Sequence, residues 1–309
     1  MNKTIKTQVS TVACIQASRC KNTGKEIFTL ELEYPRVIHA QLLTHGVFSK
    51  NSSSTRAVPL KAAIQQIKDS PAKYIWTDNK SGMQGEVSSS DKVDMYESLF
   101  SDARYEAIRA TTLLSDAGAH KQNAGRLLEP FQNIKIVLTS TEWENWDWLR
   151  DHEDAQGEIA DLARAMKEAR DTADIMDIGE GEWHVPYVDR ERGADTGDLY
   201  YLVEGGQITA EEAKSVSVSV CAQVSYRKAD TGLEKAVKME GMLVDGHKVH
   251  ASPFEHIATP MPFISQNMSP MRWPKGVTHM RRDGSFGSGN FVNWIQLRQL
   301  VERHDKALF

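Results

Sequence analysis

The eight residues Ile27 to Tyr34 (IFTLELEY) constrain the fold most, because apolar and polar side chains alternate along them. A period of two belongs to a strand with one face in a core. Pro35 stops the alternation and suits the opening of a helix, so a strand passing into a helix that carries Gln41 and His45 is predicted. The next stretch is rich in hydroxyls: Ser49, Asn51, Ser52, Ser53, Ser54 and Thr55 compete for backbone hydrogen bonds and disfavour a helix interior. A turn-rich loop ending on Arg56 is predicted, and Pro59 can then start a helix over Leu60 to Lys68. A Ser/Asn/Arg loop that empties onto a helix N-terminus suits an anion such as phosphate. Many serine-rich loops of the same composition bind nothing.

Further along, Tyr96 to Leu114 has helical periodicity and Gly118 closes it; a short helical piece carries Arg126, and Ile134 to Leu138 forms a strand. Thr141 and Glu144 have capping-box spacing, and Trp146, Leu149, Ile159, Leu162 and Met166 keep three- or four-residue multiples, which predicts one long core helix. From 171 to 206 the chain is acidic and dotted with glycine, the composition of a connector or surface excursion. Helices follow at 209–224 and 231–244, then an extended SPFEHIATP segment and an amphipathic helix over Asn290 to Arg303.

A chain of 309 residues with 40% hydrophobic content can bury one large core or two smaller ones. It has no run of eighteen apolar residues, and its first twenty are polar with scattered lysines, so neither a membrane span nor a signal peptide is expected. Cys14, Cys20 and Cys221 are an odd, sparse set that suits a reduced cytoplasmic protein, and none stands in a nucleophile context. A net charge of −5 gives no support for nucleic-acid binding, although local arginines can hold a small phosphate ester. Arg126 and Arg150 are either helix-surface charges or bidentate ligands for phosphate and a planar carbonyl. His247, His250 and His256 with Glu255 raise zinc as an alternative, but their spacing fits no metal motif and no metal is expected.

The segment from Gln41 to Arg56 resembles the signature of flavin-dependent thymidylate synthases, R-H-R-x-x-S-x-N-x-x-S-x-R with a glutamine three residues ahead. Gln41, His45, Ser49, Asn51, Ser54 and Arg56 fall in register, whereas Thr44 and Gly46 replace arginines and Ser52 replaces the usual glutamate. NAGRLLEP at 123–130 and the stretch containing ENWDWLR and AQGEI are similar to the family's A-R-x-x-L-P, N-F-x-x-L-R and A-Q-x-E-I elements, which matches Arg126, Asn145, Arg150 and Gln156. VCAQVSY at 220–226 and HASPFEH at 250–256 resemble A-A-R-V-S-Y and H-x-S/T-P-F-E-H, which ordinarily precede the signature. Joining SPFEHIATP to Ile27 restores the usual order, so the chain resembles a circular permutation, which surface termini allow.

The resemblance implies an α+β fold, helix-rich with a small, mainly antiparallel sheet. It implies methylation of dUMP to dTMP using methylenetetrahydrofolate and NADPH, mediated by FAD. Gln41, Ser54, Arg56, Arg126 and Arg150 would line the dUMP pocket, with Arg150 and Ser54 as the catalytic residues and Arg150 polarising the uracil ring. His45, Ser49, Asn51, Asn145, His250, Ser252 and Glu255 would lie with the flavin. Residues 1–170 would hold the signature and substrate part of the catalytic domain, 171–206 a connector, and 207–309 the part that completes it. A homotetramer with shared sites in the cytoplasm of a bacterium or virus-infected cell is expected, with no nucleic-acid or membrane partner. Two other readings stay open: another one-carbon transfer, such as hydroxymethylation of dUMP or dCMP for modified DNA, and a non-catalytic nucleotide-binding homologue.

Overall fold

The computed structural model describes residues 3–81, 85–224, 230–244 and 250–301. Three strands open the chain: β1 (Thr4–Lys6), β2 (Thr11–Cys20) and β3 (Glu26–Pro35). In β3 the alternation does what its period predicts. Phe28, Leu30, Leu32 and Tyr34 enter the main apolar cluster, while Thr29 and Glu31 bond on the opposite face. The sequence reading missed β2, for a physical reason. A β-bulge between Cys14 and Gln16 switches its faces, so Val12, Cys14 and Ala17 pack with the cluster while Gln16 and Ser18 turn away, and no simple period survives.

After Pro35 come a 3-10 turn (Arg36–Ile38) and a helix of five residues, α1 (His39–Leu43), so Gln41 lies on the helix and His45 just beyond it. The predicted loop begins instead as a strand, β4 (Ser49–Ser52), paired residue for residue with Ile136 to Thr139. Strand pairing supplies the backbone partners for which the hydroxyls would otherwise compete. Turns occupy 55–57, and α2 (Leu60–Asp69) follows with Pro59 as its N-cap. A small pair, β5 (Thr77–Asp78) and β6 (Glu86–Val87), precedes α3 (Ser90–Asp116), which is closed by Gly118 at φ +89°. Then come α4 (Lys121–Ala124), a 3-10 turn (Gly125–Phe131) that carries Arg126, and β7 (Asn133–Ser140).

The single long helix predicted from Thr141 onward is two helices, α5 (Glu144–Arg150) and α6 (Gly157–Asp171). The run Asp151, His152, Glu153, Asp154 favours turns over helix interior, and Gln156 is extended (ψ 137°) where α6 begins. Thr141 forms no capping box; its hydroxyl accepts a 3.0 Å bond from the Val292 N–H. The segment expected as a surface excursion holds β8 (Ile175–Ile178), β9 (Asp189–Arg192), β10 (Leu199–Val203) and β11 (Gly206–Ile208). Its apolar residues Val185 and Val188 are buried between the charged ones.

Helices α7 (Ala210–Ala222) and α8 (Leu233–Val244) match expectation, with Thr209 and Glu212 forming a capping box on α7. Ser252–His256 is a 3-10 turn rather than extended chain, and β12 (Ala258–Pro260) follows. The amphipathic helix predicted from Asn290 is replaced by strands: after β13 (His279–Met280) and β14 (Phe286–Ser288) come β15 (Phe291–Val292) and β16 (Trp294–Gln296). Asn293, at φ +59°, interrupts any helix there, and only Leu297–Leu300 makes a 3-10 turn.

The main sheet runs β1-β2-β3-β7-β4, antiparallel, with β8 parallel beside β2. Helices α5 and α6 cover one face through Trp146, Ile159, Leu162 and Met166, all fully buried. Ile159, Leu162 and Met166 each stabilise the fold by roughly 1.5–3 kcal/mol relative to exposure. The other face is covered by residues 184–188 and the Ser252–His256 turn, which reach it through hydrogen bonds to Gln16, Ser18, Thr29 and Thr139. Among the described residues no helix is long and apolar enough to cross a membrane.

Candidate active site

Where α1 ends, the chain turns at Thr44–Gly46 and brings His45 under the C-terminal end of α5. Arg150 Nε donates a 3.1 Å hydrogen bond to His45 Nε2, so the imidazole accepts there and carries its proton on Nδ1. Trp146 meets the ring edge-on at 4.8 Å and Phe48 stacks at 5.9 Å. Desolvation first, then the charges of Arg150 and Lys50, hold His45 below the usual histidine range. With Nε engaged, the guanidinium plane of Arg150 is fixed while its terminal nitrogens remain for a planar acceptor. Beside this contact, Gln41 Nε2 donates to Gln156 Oε1 at 2.6 Å, which the break between α5 and α6 makes possible.

The alternation of β4 sorts the next residues. Ser49 faces the C-terminal segment: its hydroxyl bonds Asn290 Oδ1 at 3.2 Å and accepts from Gln296 Nε2 at 3.1 Å. Asn51 donates to the Cys221 carbonyl at 3.1 Å. Gln296 also bonds the Glu255 carbonyl, and the Glu255 carboxylate pairs with Arg298. Lys50 and Ser52 face α1. The Lys50 ammonium donates to the His45 carbonyl at 2.8 Å, and Ser52 Oγ lies 3.3 Å from His39 Nε2.

Ser54 is exposed on the following turn, where its hydroxyl accepts the Arg56 N–H at 3.3 Å. It lines a cavity of about 470 Å³ with Arg36, Ser53, Gln132, Asn133 and Lys135, and with Glu33 and Asp69. Arg36 Nε, Gln132 Oε1 and Asn133 Oδ1 are buried there without a hydrogen-bond partner. Such atoms cost free energy unless a ligand or water meets them. Burial lowers the Arg36 guanidinium pKa, with smaller influences from Glu129 and Arg126. Arg126 is 69% exposed and pairs with Glu129 at 3.0 Å; Arg56, Asn145, His250 and Ser252 are also exposed.

Behind the site runs a buried polar chain. Arg190 Nη1 donates to Ser18 Oγ (2.8 Å); Ser18 Oγ meets His184 Nδ1 (2.8 Å); His184 Nε2 meets Thr29 Oγ1 (2.9 Å); Thr29 meets Thr139 (2.7 Å); and Thr139 meets His256 Nδ1 (2.9 Å). Burial pushes His256 down to about 3 and His184 well below its usual range.

The structure therefore unites Gln41, His45, Arg150 and Gln156 in one group, and Ser49, Asn51 and the Glu255 backbone in a second. It sets Ser54 on a third feature, the cavity that Arg36 lines. Arg36, His39 and Lys50 were not singled out in the sequence; reading 49–52 as a strand would have separated Lys50 and Ser52 from Ser49 and Asn51. Among the described residues no three His, Cys, Asp or Glu side chains are grouped to hold a metal ion, and His247, like Ser225 and Tyr226 of VCAQVSY, lies outside them. All three cysteines are buried thiols, and burial pushes Cys14 up to about 12.

Residues 25–173, from the start of β3 to the end of α6, match the family model described as thymidylate synthase complementing protein. No curated protein matches the chain. The register of Gln41, His45, Arg150 and Gln156, their convergence around α1 and this match agree: residues 25–173 match the thymidylate synthase complementing protein family, the flavin-dependent thymidylate synthases.

Proposed function

We propose that the chain is a flavin-dependent enzyme that methylates dUMP to dTMP, taking the carbon from methylenetetrahydrofolate and reducing equivalents from NADPH. The observation that carries this reading is the meeting of His45 with Arg150 and of Gln41 with Gln156, pairs more than one hundred residues apart in sequence. Arg150 presents its terminal nitrogens to a uracil carbonyl and stabilises the negative charge that develops as C5 becomes nucleophilic. A preorganised donor of this kind contributes about 3 kcal/mol. Gln41, Ser54, Arg56 and Arg126 hold and orient the nucleotide.

The side chains suit a cofactor such as FAD, which carries both phosphate and ring N–H groups: one unpartnered buried donor, Arg36 Nε, and two acceptors, Gln132 Oε1 and Asn133 Oδ1, line the cavity, and Lys50 and Arg150 lie beside His45. His45, Asn145, His250 and Ser252 would border the flavin. Ser49, Asn51 and Glu255 are engaged within the protein and would support it from behind. FAD, when bound, supplies the methylene-transfer and redox chemistry that no side chain here offers.

Exposed apolar side chains favour a homotetramer with sites shared between subunits: Leu43 and Trp148 beside the site, and Leu99, Tyr105 and Leu113 along α3. The rearranged order also gains support. Ala258, Ile27 and Trp294 share one apolar cluster, and Asn22, Thr23, Met261 and Pro262 line one cavity, so the two ends that the family order joins lie together.

A second reading, one-carbon transfer to dUMP or dCMP giving another 5-substituted pyrimidine, is favoured by Thr44 and Gly46 in place of two arginines. The test is the product mass after incubation with dUMP, methylenetetrahydrofolate, FAD and NADPH. Thymidylate is expected. A hydroxymethylated nucleotide would favour the second reading, and unchanged dUMP and dCMP would point to a non-catalytic nucleotide-binding homologue.

A further inference from the structure

Lys50 is held in an unusual way for a lysine on a short strand. Its ammonium turns back over the Thr44–Gly46 turn, 2.8 Å from the His45 carbonyl and 3.4 Å from that of Leu43. These contacts use two of its three protons and leave one for another acceptor. Two residues on, Ser52 Oγ holds His39 Nε2, and His39 Nδ1 is 2.7 Å from the Tyr34 hydroxyl. Arg36 stands one 3-10 turn before His39, and Arg150 is bonded to His45 on the far side. Arg36, His39 and His45 thus stand in order along α1 and its flanking turns, and Lys50 and Arg150 both reach the His45 end.

Among the described residues, none of Arg36, Lys50 and Arg150 makes an ion pair with a carboxylate, although most of the other partly buried arginines do, Arg170 with Asp147 and Arg192 with Glu182 among them. Glu129 pairs with Arg126, while Glu33 and Asp69 line the same cavity as Arg36, so Lys50 and Arg150 are the two cations that meet at His45 without a described acid. Burial lowers the pKa of Lys50. His39 is brought down to about 4, first by burial, then by Arg36 and Lys50. Holding a partly desolvated ammonium without a counterion is costly, and an anion seated beside it removes that cost.

We propose that Lys50, beside the His45–Arg150 contact, binds the phosphate of a phosphate-ester ligand at the Thr44–Gly46 turn, supplying positive charge where this chain has no arginine at 44 or 46. The inference rests on reading this site as one for flavin and nucleotide. Two ligands present the same chemistry there, the diphosphate of FAD and the monophosphate of dUMP. A lysine that merely capped the last carbonyls of α1 would look alike in the fold but would not discriminate between ligands with and without phosphate.

The test is titration calorimetry of wild type, Lys50→Gln and Lys50→Arg with FAD, riboflavin, dUMP, deoxyuridine and inorganic pyrophosphate, with thermal melting of each variant. Lys50→Gln is expected to weaken FAD or dUMP at least ten-fold, to leave riboflavin and deoxyuridine within two-fold, and to regain affinity as Lys50→Arg. Whichever phosphate ligand weakens is the one that Lys50 holds. Equal affinities of wild type and Lys50→Gln for every phosphate probe would overturn the inference, as would parallel losses for riboflavin and deoxyuridine. Lys50-dependent binding of pyrophosphate without binding of FAD or dUMP would uphold Lys50 and sink the functional reading; a wild type that binds none of the probes would sink both. Should Lys50→Gln unfold, Lys50→Met, which keeps the aliphatic stem and removes the charge, carries the same comparison, with the same selective loss expected.

Discussion

Two histidine-centred clusters on neighbouring strands differ in how their charge is resolved. In the deep chain from Arg190 to His256, every link is a short hydrogen bond between adjacent strands or the segments that cover them, and both imidazoles are fully buried. Around His45 and His39 the rings are equally tied, and the cations beside them, like Arg190, have no described carboxylate partner; the difference is that Arg190 is bonded to a hydroxyl and two carbonyls, whereas this cluster opens at the end of α1. The first arrangement is what a fold needs: polar groups paired internally, all but His256 Nε2, holding β2, β3 and β7 to the segments packed on them. The second leaves positive charge for something outside the chain to meet. The contrast separates residues that support the site from residues proposed to meet a ligand.

The largest effect on stability should come from the deep chain. His184→Ala leaves Ser18 and Thr29 without their shared partner and opens a cavity, and a loss of about 3 kcal/mol is expected in urea unfolding. A loss below about 1 kcal/mol would show that the chain is not the structural unit described.

Acid titration sharpens the same contrast. Unfolded, each histidine takes up a proton near pH 6.5; folded, His39 does so only at about 4 and His256 at about 3. Between these values the unfolded chain binds more protons, so stability is full above pH 6.5 and falls as pH drops towards 4 and 3. Unfolding midpoints at pH 7, 5.5 and 4.5 should decline in that order, and His39→Gln should flatten part of the decline. A pH-independent midpoint would contradict the burial of these rings.

Smaller effects probe the signature itself. Asn51→Ala removes the bond to the Cys221 carbonyl and should cost about 1 kcal/mol while leaving FAD affinity within two-fold. A large loss of FAD with unchanged stability would move Asn51 to the ligand side. Arg126→Ala, breaking an exposed pair, should change stability by less than about 0.5 kcal/mol yet weaken dUMP binding measurably. Unchanged dUMP affinity would return Arg126 to the surface.

How much of this was legible in the chain depended on whether a residue's partners were local. The alternation of IFTLELEY, the helices at 60–69 and 210–222 and the register of Gln41, His45, Arg150 and Gln156 could all be read from sequence. Ser49–Ser52 read as a loop because hydroxyls compete for the backbone in isolation; β7, more than eighty residues away, supplies the ladder that overrides them. The bulge at Cys14–Gln16 concealed β2, and the turn at Asn293 converted an apparent helical face into paired short strands. Within the site, Lys50, His39 and Arg36 escaped notice because their significance lies in what surrounds them, namely each other and few carboxylates. No spacing rule encodes that.

The most direct measurement is release of tritium from the C5 position of labelled dUMP by wild type and Arg150→Ala, in the presence of methylenetetrahydrofolate, FAD and NADPH, with folding verified by melting temperature. The account predicts release by wild type and a loss of at least a hundred-fold in a folded Arg150→Ala, the size expected for removing a preorganised donor. A folded Arg150→Ala that releases tritium at the wild-type rate would contradict it.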